Sequence, residues 1–193
     1  MQNQKSTSYI FPITIIGALF FIFGFITWAN SQLIPYLKTA CQLTDTESYL
    51  VGTAFFVAYF FMSIPSSFIL KGVGFKKGMS VGLFIMAIGA FMFIPAAQMR
   101  NYPLFLSGLF VIGTGLALLQ TASNPYVTIL GPIESAAQRI SIMGICNKVA
   151  GICAVYLLGS LFLTNIDQIE ASLTTLNAVQ QNVVLQQLAN KVI

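Results

Sequence analysis

Long apolar runs separated by short charged segments set the pattern of this chain. Asp, Glu, Lys and Arg are missing from residues 6–37, 48–70, 78–99 and 101–133, and residues 140–166 contain one, Lys148. A helix needs about 20 apolar residues, rising about 1.5 Å each, to cross about 30 Å of hydrocarbon. Five stretches reach that length. The pattern predicts transmembrane helices over roughly 10–36, 48–70, 78–98, 103–130 and 140–163. A soluble core built of five such runs would leave almost no chain for an outer layer. The first run outlasts a signal-peptide core and lacks both a charge-rich start and a small-residue cleavage site, so it reads as a retained helix. "KGVGFKKG" after the second run reads as a tight loop, and "GPIESAAQR" as the loop before the fifth. Glycines recur along runs three to five, at Gly82 and Gly89, Gly108 and Gly115, and Gly144, Gly151 and Gly159, and predict close helix packing. Residues 164–193 change character. They are rich in Gln and Asn, and Ile166, Ile169, Leu173, Leu176, Val179 and Val183 recur at the spacing of one helix face until Gln186 and Gln187 interrupt it. That segment reads as an amphipathic surface helix.

Composition agrees with the pattern. Of 193 residues 56% are hydrophobic and 7% charged, against about 25% charged in soluble domains. The fold class is therefore all-α and integral to a lipid bilayer. The net charge of +4 sits mostly at helix ends, which makes it a topology signal and no sign of nucleic-acid binding. With a cytoplasmic N-terminus, Lys5, Lys71, Lys76, Lys77 and Arg139 fall inside, and Lys38, Arg100 and Lys191 fall outside. That bias favours the N-terminus inside and the tail on the outer face. Cys41, Cys146 and Cys153 form no disulfide or metal framework, and no histidine is present. His-ligated metals, Ser-His-Asp triads and His-based proton relays are excluded within this chain. None of the five carboxylates lies inside a predicted span, so the chain reads as a non-enzyme with no metal and no cofactor.

Polar side chains interrupt two of the runs. "LLQTASNPYV" in the fourth places Gln120 and Asn124 on one face with Thr128 a turn further, and Pro125 frees the carbonyl of Thr121. "WANSQLIPY" in the first carries Asn30 and Ser31, and the fifth has Asn147 beside Lys148. "GFITWANSQLIPY" from Gly24 echoes "GLALLQTASNPY" from Gly115, which makes runs one and four matching members of two three-helix units. Paired interruptions of this kind point to a transporter's substrate site. Amides and hydroxyls around one cavity suit a polyhydroxylated neutral solute such as a monosaccharide. Trp28, Phe55, Phe56 and Tyr59 offer ring faces. Such residues equally serve to hold helices together by interhelical hydrogen bonds. Lys148 lies deep in the fifth run, as a cavity-facing cation or a snorkelling one. Glu134 and Arg139 are expected to pair across the start of that helix, as a staple or a gate.

The chain resembles the N-terminal half of a major facilitator superfamily transporter of the fucose permease and glucose/galactose transporter group. The resemblance runs through most of 9–165 and rests on "NSQLIPYLK", "AFFVAYFFMSIPSSFILK", "GLALLQTASNPYVTILGP" and the loop "GPIESAAQR". It implies a twelve-helix fold of two halves, alternating access around a central sugar site, and residence in a bacterial inner (plasma) membrane. It assigns substrate binding to Asn30, Ser31, Gln120, Asn124 and Asn147, and leaves Lys148, Glu134 and Arg139 as candidates for coupling or gating. The chain departs from the group where Ser31 replaces an Asp, Gln120 a Glu, and Gly144 a Gln; Lys148 is not part of the group's pattern. A Gln hydrogen-bonds a sugar but does not cycle a proton. Coupling is left open between facilitated diffusion, another cation, and protons handled elsewhere. Helices 6–12 of the group are not in this sequence. The expectation is a truncated or split sugar transporter half, completed by a second chain, or else a non-transporting remnant or assembly subunit.

Overall fold

The structure is a computed structural model that describes residues 7–163, 166–173 and 176–190. Lys5 and Lys191, which enter the charge count, lie outside them. The chain runs through α1 (Thr7–Cys41), α2 (Asp45–Gln98), α3 (Tyr102–Ile129), a 3-10 turn (Ile133–Ser135), α4 (Ala136–Leu158) with a π turn (Gly159–Leu163), α5 (Ile166–Leu173) and α6 (Ala178–Asn190). Among the described residues, α1, α2, α3 and α4 are long and apolar enough to cross a membrane. At about 1.5 Å per residue, α2 drawn straight would be more than twice as long as the hydrocarbon is thick. It is not straight. Gly74, at φ 76° and ψ 166°, breaks it, in a region that a Cβ forbids and glycine occupies freely. The runs at 48–70 and 78–98 are thus two limbs parted by a single residue, with no extended loop between them.

The limbs reverse direction, which their contacts with α3 establish. Along the first limb, Tyr102 meets Glu47, Gly113 abuts the Phe55 carbonyl and Gln120 meets Tyr59, so that limb runs parallel to α3. Along the second, Gly82 faces Gly115, Gly89 faces Gly108 and Phe93 faces Phe105, an antiparallel pairing. A Cβ built on Gly82 would stand 2.9 Å from the Gly115 carbonyl oxygen, and one on Gly89 2.9 Å from that of Gly108. In lipid, helices associate through such packing, with no hydrophobic drive between them. The α4 stripe differs from its sequence expectation. Gly151 makes room for the Trp28 indole, while a Cβ added at Gly144 would meet no neighbouring helix within 4 Å.

The fifth span pairs with the first. Gly17 lies against Met143 and Cys146, Gly24 against the Asn147 backbone, and Gly151 against Trp28, so α1 and α4 run parallel. α1 thus packs on α4 as α3 packs on the first limb of α2. That exchange of partners is what two matching three-helix units would give.

The tail forms two helices where the sequence rhythm suggested one. Val179 and Val183 on the expected apolar stripe are exposed. The buried side chains are Leu185 and Leu188, against Tyr36 and Ala40 near the end of α1. The Tyr36 hydroxyl donates to the Leu188 carbonyl. Gln186, which interrupts the rhythm, donates to the Gln98 carbonyl at 3.0 Å. The tail therefore sits over the end of the bundle where α1 finishes and α3 begins.

At that same end, Thr44 and Glu47 form a reciprocal capping box on α2, and Lys38 Nζ lies 2.6 Å from Asp45. The hydrogen bond and charge of Lys38 lower the Asp45 pKa below its ordinary 3.8. The backbone N–H and hydroxyl of Thr44 lower that of Glu47 below its ordinary 4.5. Both shifts are downward, so their contribution to stability is fully present above those ordinary values. It is lost as the pH falls through the lower folded-state values. The wild-type melting temperature is expected to decline on acidification through that range, and the double variant Asp45→Asn/Glu47→Gln to decline less. Parallel pH–melting curves for the two proteins would show that these carboxylates carry none of the effect.

Candidate functional site

Among the spans, α3 carries a polar face. Asn124 and Pro125 are exposed, and Thr114, Gln120, Thr121 and Thr128 are half-buried. They share a face because residues three, four and seven apart recur on one side of a helix. Two of the hydroxyls bond back to their own helix, Thr121 to the Ala117 carbonyl at 2.7 Å and Thr128 to that of Pro125 at 2.6 Å. The Tyr59 hydroxyl donates to Gln120 Oε1 at 2.8 Å, which fixes the carboxamide and leaves its NH₂ to donate outward. Tyr59 thus acts through its hydroxyl, where the sequence suggested a ring face. The side chain of Asn124, one turn on, is exposed and holds both a donor and an acceptor.

Of the other expected site residues, Asn30 faces an apolar cavity that neither Gln120 nor Asn124 lines. Asn30 is 3% exposed and its Oδ1 has no hydrogen-bond partner among the described residues. It lines a cavity of about 370 Å³ whose other walls are apolar, Phe25, Leu33, Phe55 and Phe93 among them. Ser31, its neighbour, is exposed and donates to the Trp28 carbonyl at 2.6 Å. Adjacent residues point about 100° apart on a helix, so one entered the bundle and the other left it. Asn147 Nδ2 donates to the Phe20 carbonyl at 3.3 Å, a link between α4 and α1. Phe55 is buried and Phe56 is exposed.

Lys148 is the thirteenth of the 23 residues of α4. It is exposed, and its ammonium stands 5.7 Å from the centre of the Trp28 ring. Both line a groove of about 510 Å³ with Gly151, Ile152, Val155 and Tyr156.

The expected Glu134–Arg139 pair does not form. Glu134 is exposed and Arg139 is 5% exposed. The guanidinium donates instead to the carbonyls of Val127 at 3.1 Å, Thr128 at 3.0 Å and Pro132 at 2.9 Å, and to Ser135 Oγ at 2.6 Å. The last carbonyls of a helix have no partner inside it. Arg139 satisfies two of them at the end of α3, and a carboxylate on the exposed turn has nothing comparable to offer. Gly131, at φ 125°, turns the chain there.

Comparison with known proteins places this architecture. The Major Facilitator Superfamily profile matches residues 16–173. The chain belongs to the Major Facilitator Superfamily. Among superfamily members, it is 46% identical over 147 residues to a glucose/galactose transporter of Brucella abortus biovar 1 (strain 9-941), covering 76% of this chain and 36% of that one. It is 40% identical over 162 residues to the L-fucose-proton symporter of Escherichia coli (strain K12), covering 84% of this chain and 37% of that one. The fold matches the crystal structure of a superfamily transporter, FucP, in the outward conformation, with a TM-score of 0.82 and 37% identity, over 96% of this chain and 45% of that one. The chain therefore spans less than half the length of these relatives.

Proposed function

We propose that this chain is one half of an alternating-access sugar transporter, with Gln120, Asn124 and Ser31 on the face that meets the other half and holds a monosaccharide. The observation that carries the reading is the α3 face, where a carboxamide held by Tyr59 and an exposed amide lie one turn apart. Polar groups at this depth are costly against lipid and useful against a polyol. The similarity to glucose/galactose and fucose transporters supports the same assignment. Helices from the rest of a longer protein, or from a second chain, complete the site. The basic cluster of Lys71, Lys76 and Lys77, with Arg139, marks the cytoplasmic end of the bundle in a bacterial inner membrane. No enzymatic step is assigned. No carboxylate lies within the spans, so proton coupling through an acid within them is not part of this reading.

Asn147 favours a second reading at its own position. Its bond to the Phe20 carbonyl makes it a helix tie, the role all these residues would have in a non-transporting subunit. Equilibrium binding of radiolabelled D-galactose, D-glucose and L-fucose to this chain purified in detergent together with the helices that complete the site separates the two. Saturable binding of one sugar, weakened at least tenfold by Gln120→Leu with Asn124→Ala at an unchanged melting temperature, is the expected result. Absence of saturable binding to folded protein, or binding indifferent to the double variant, would overturn the transporter-site assignment.

A further inference from the structure

We propose that Lys148 and Trp28, in the groove between α1 and α4, form a subsite for a carboxylate, so that the sugar this half helps to hold is an acidic one, of the hexuronate or aldonate class. The inference rests on the sugar-transport reading and adds the charge of the substrate to it.

Position comes first. Lys148 is the thirteenth of the 23 residues of α4, so about 15 to 18 Å of helix rise separates it from either end. That exceeds what a lysine stem spans by snorkelling, and an ammonium held against lipid at this depth is costly. The charge therefore belongs against a counter-ion, and not against lipid.

Its counter-charge is the second point. Asp and Glu are absent between Glu47 and Glu134, between Glu134 and Asp167, and before Asp45. No carboxylate in any of these spans faces Lys148. The partner it has is the Trp28 ring, 5.7 Å from Nζ to centroid. A ring quadrupole attracts a cation without neutralising it, so the ammonium keeps its capacity for an anion.

The surroundings fit a sugar acid. The groove holds about 510 Å³, within the range of small-molecule sites. Gly151 lets the indole lie against α4, since a Cβ there would stand 2.5 Å from Trp28 Cδ1. Trp28 and Tyr156 supply aromatic surface for the C–H face of a pyranose, and Lys148 supplies one cation. A lipid phosphate lies at the membrane surface, far from this depth. A carboxylate borne on the transported molecule reaches it.

The test is equilibrium binding of D-galacturonate and D-galactose to the chain purified in detergent together with the helices that complete the site, in the wild type, Lys148→Gln and Lys148→Arg. The expected wild-type result is at least tenfold tighter binding of galacturonate. The ratio of the two affinities should fall to about one in Lys148→Gln and stay above one in Lys148→Arg. Each variant is checked by melting temperature, and Lys148 is exposed, so folding is not at stake. Equal affinities in the wild type, or a preference that survives Lys148→Gln, would overturn the acidic subsite while leaving the sugar reading intact. Failure of both sugars to bind folded protein would overturn the two together.

Discussion

Replacing Gly24 with valine is expected to separate α1 from α4. A Cβ at this position runs into the carbonyl of Asn147. The obstacle is backbone, and backbone in a helix cannot rotate aside as a flexible side chain does. Overpacking that side chains can absorb costs about 1–3 kcal/mol. Here the whole α1–α4 interface has to open, so the loss is expected to exceed that range. Gly144→Val, one turn before Asn147, is the matched control, because a Cβ added at Gly144 would meet no neighbouring helix within 4 Å. Trp28 is the single tryptophan and rests on Gly151 across the same interface. Its emission thus reports docking directly. Gly24→Val should shift that emission and lower the melting temperature by far more than Gly144→Val. Similar behaviour of the two variants would contradict the close approach of these helices.

Arg139→Leu is the second large effect. The substitution removes five N–H donors and leaves the carbonyls of Val127, Thr128 and Pro132 without their partner. Hydrogen bonds to a charged group contribute about 1.5–3 kcal/mol each, and orphaned buried acceptors carry a further desolvation penalty. Since these terms do not add fully, a loss of about 3 kcal/mol or more is expected. Arg139→Lys keeps the charge but lacks the planar fork that reaches several acceptors at once, and should recover only part of the loss. Denaturation midpoints measure the size. Hydrogen exchange over 126–136 locates it, because the end of α3 and the turn after it should lose protection while α2 does not. An Arg139→Leu protein as stable as the wild type would mean that the turn is held by something else.

What could be read from the sequence divides along physical lines. Charge segregation made the spans legible, because lipid tolerates little else over that length. The break at Gly74 was invisible as such. A single residue suffices to reverse the chain there, and a flanking pattern of Gly and Lys looks the same around a loop. The role of Arg139 was misread because its partners are main-chain carbonyls, which leave no trace in a sequence, whereas Glu134 is a visible acid at a plausible spacing. Gln120 and Asn124 could be placed on one face of α3 from spacing alone. Asn30 and Ser31, adjacent in sequence, could not be assigned sides until the packing of α1 was known. The tail misled most. Its apolar rhythm ran through Val179 and Val183, but burial followed Leu185 and Leu188, since Tyr36 and Ala40 offered the surface to cover.

The glycine contacts also set an order of assembly. Gly82 and Gly89 meet Gly115 and Gly108 within a short stretch of chain, while Gly24 meets Asn147 more than a hundred residues later. At a synthesis rate of about 5–20 residues per second, α1 waits roughly ten seconds for its partner. During that wait the two limbs of α2 and α3 can already be joined, and α1 stands in the bilayer with Gly17 and Gly24 uncovered. A span made well before α4 is thus secured only after α2 and α3 have joined. Timing, more than the strength of any one contact, makes it the segment most open to pairing with the wrong helix.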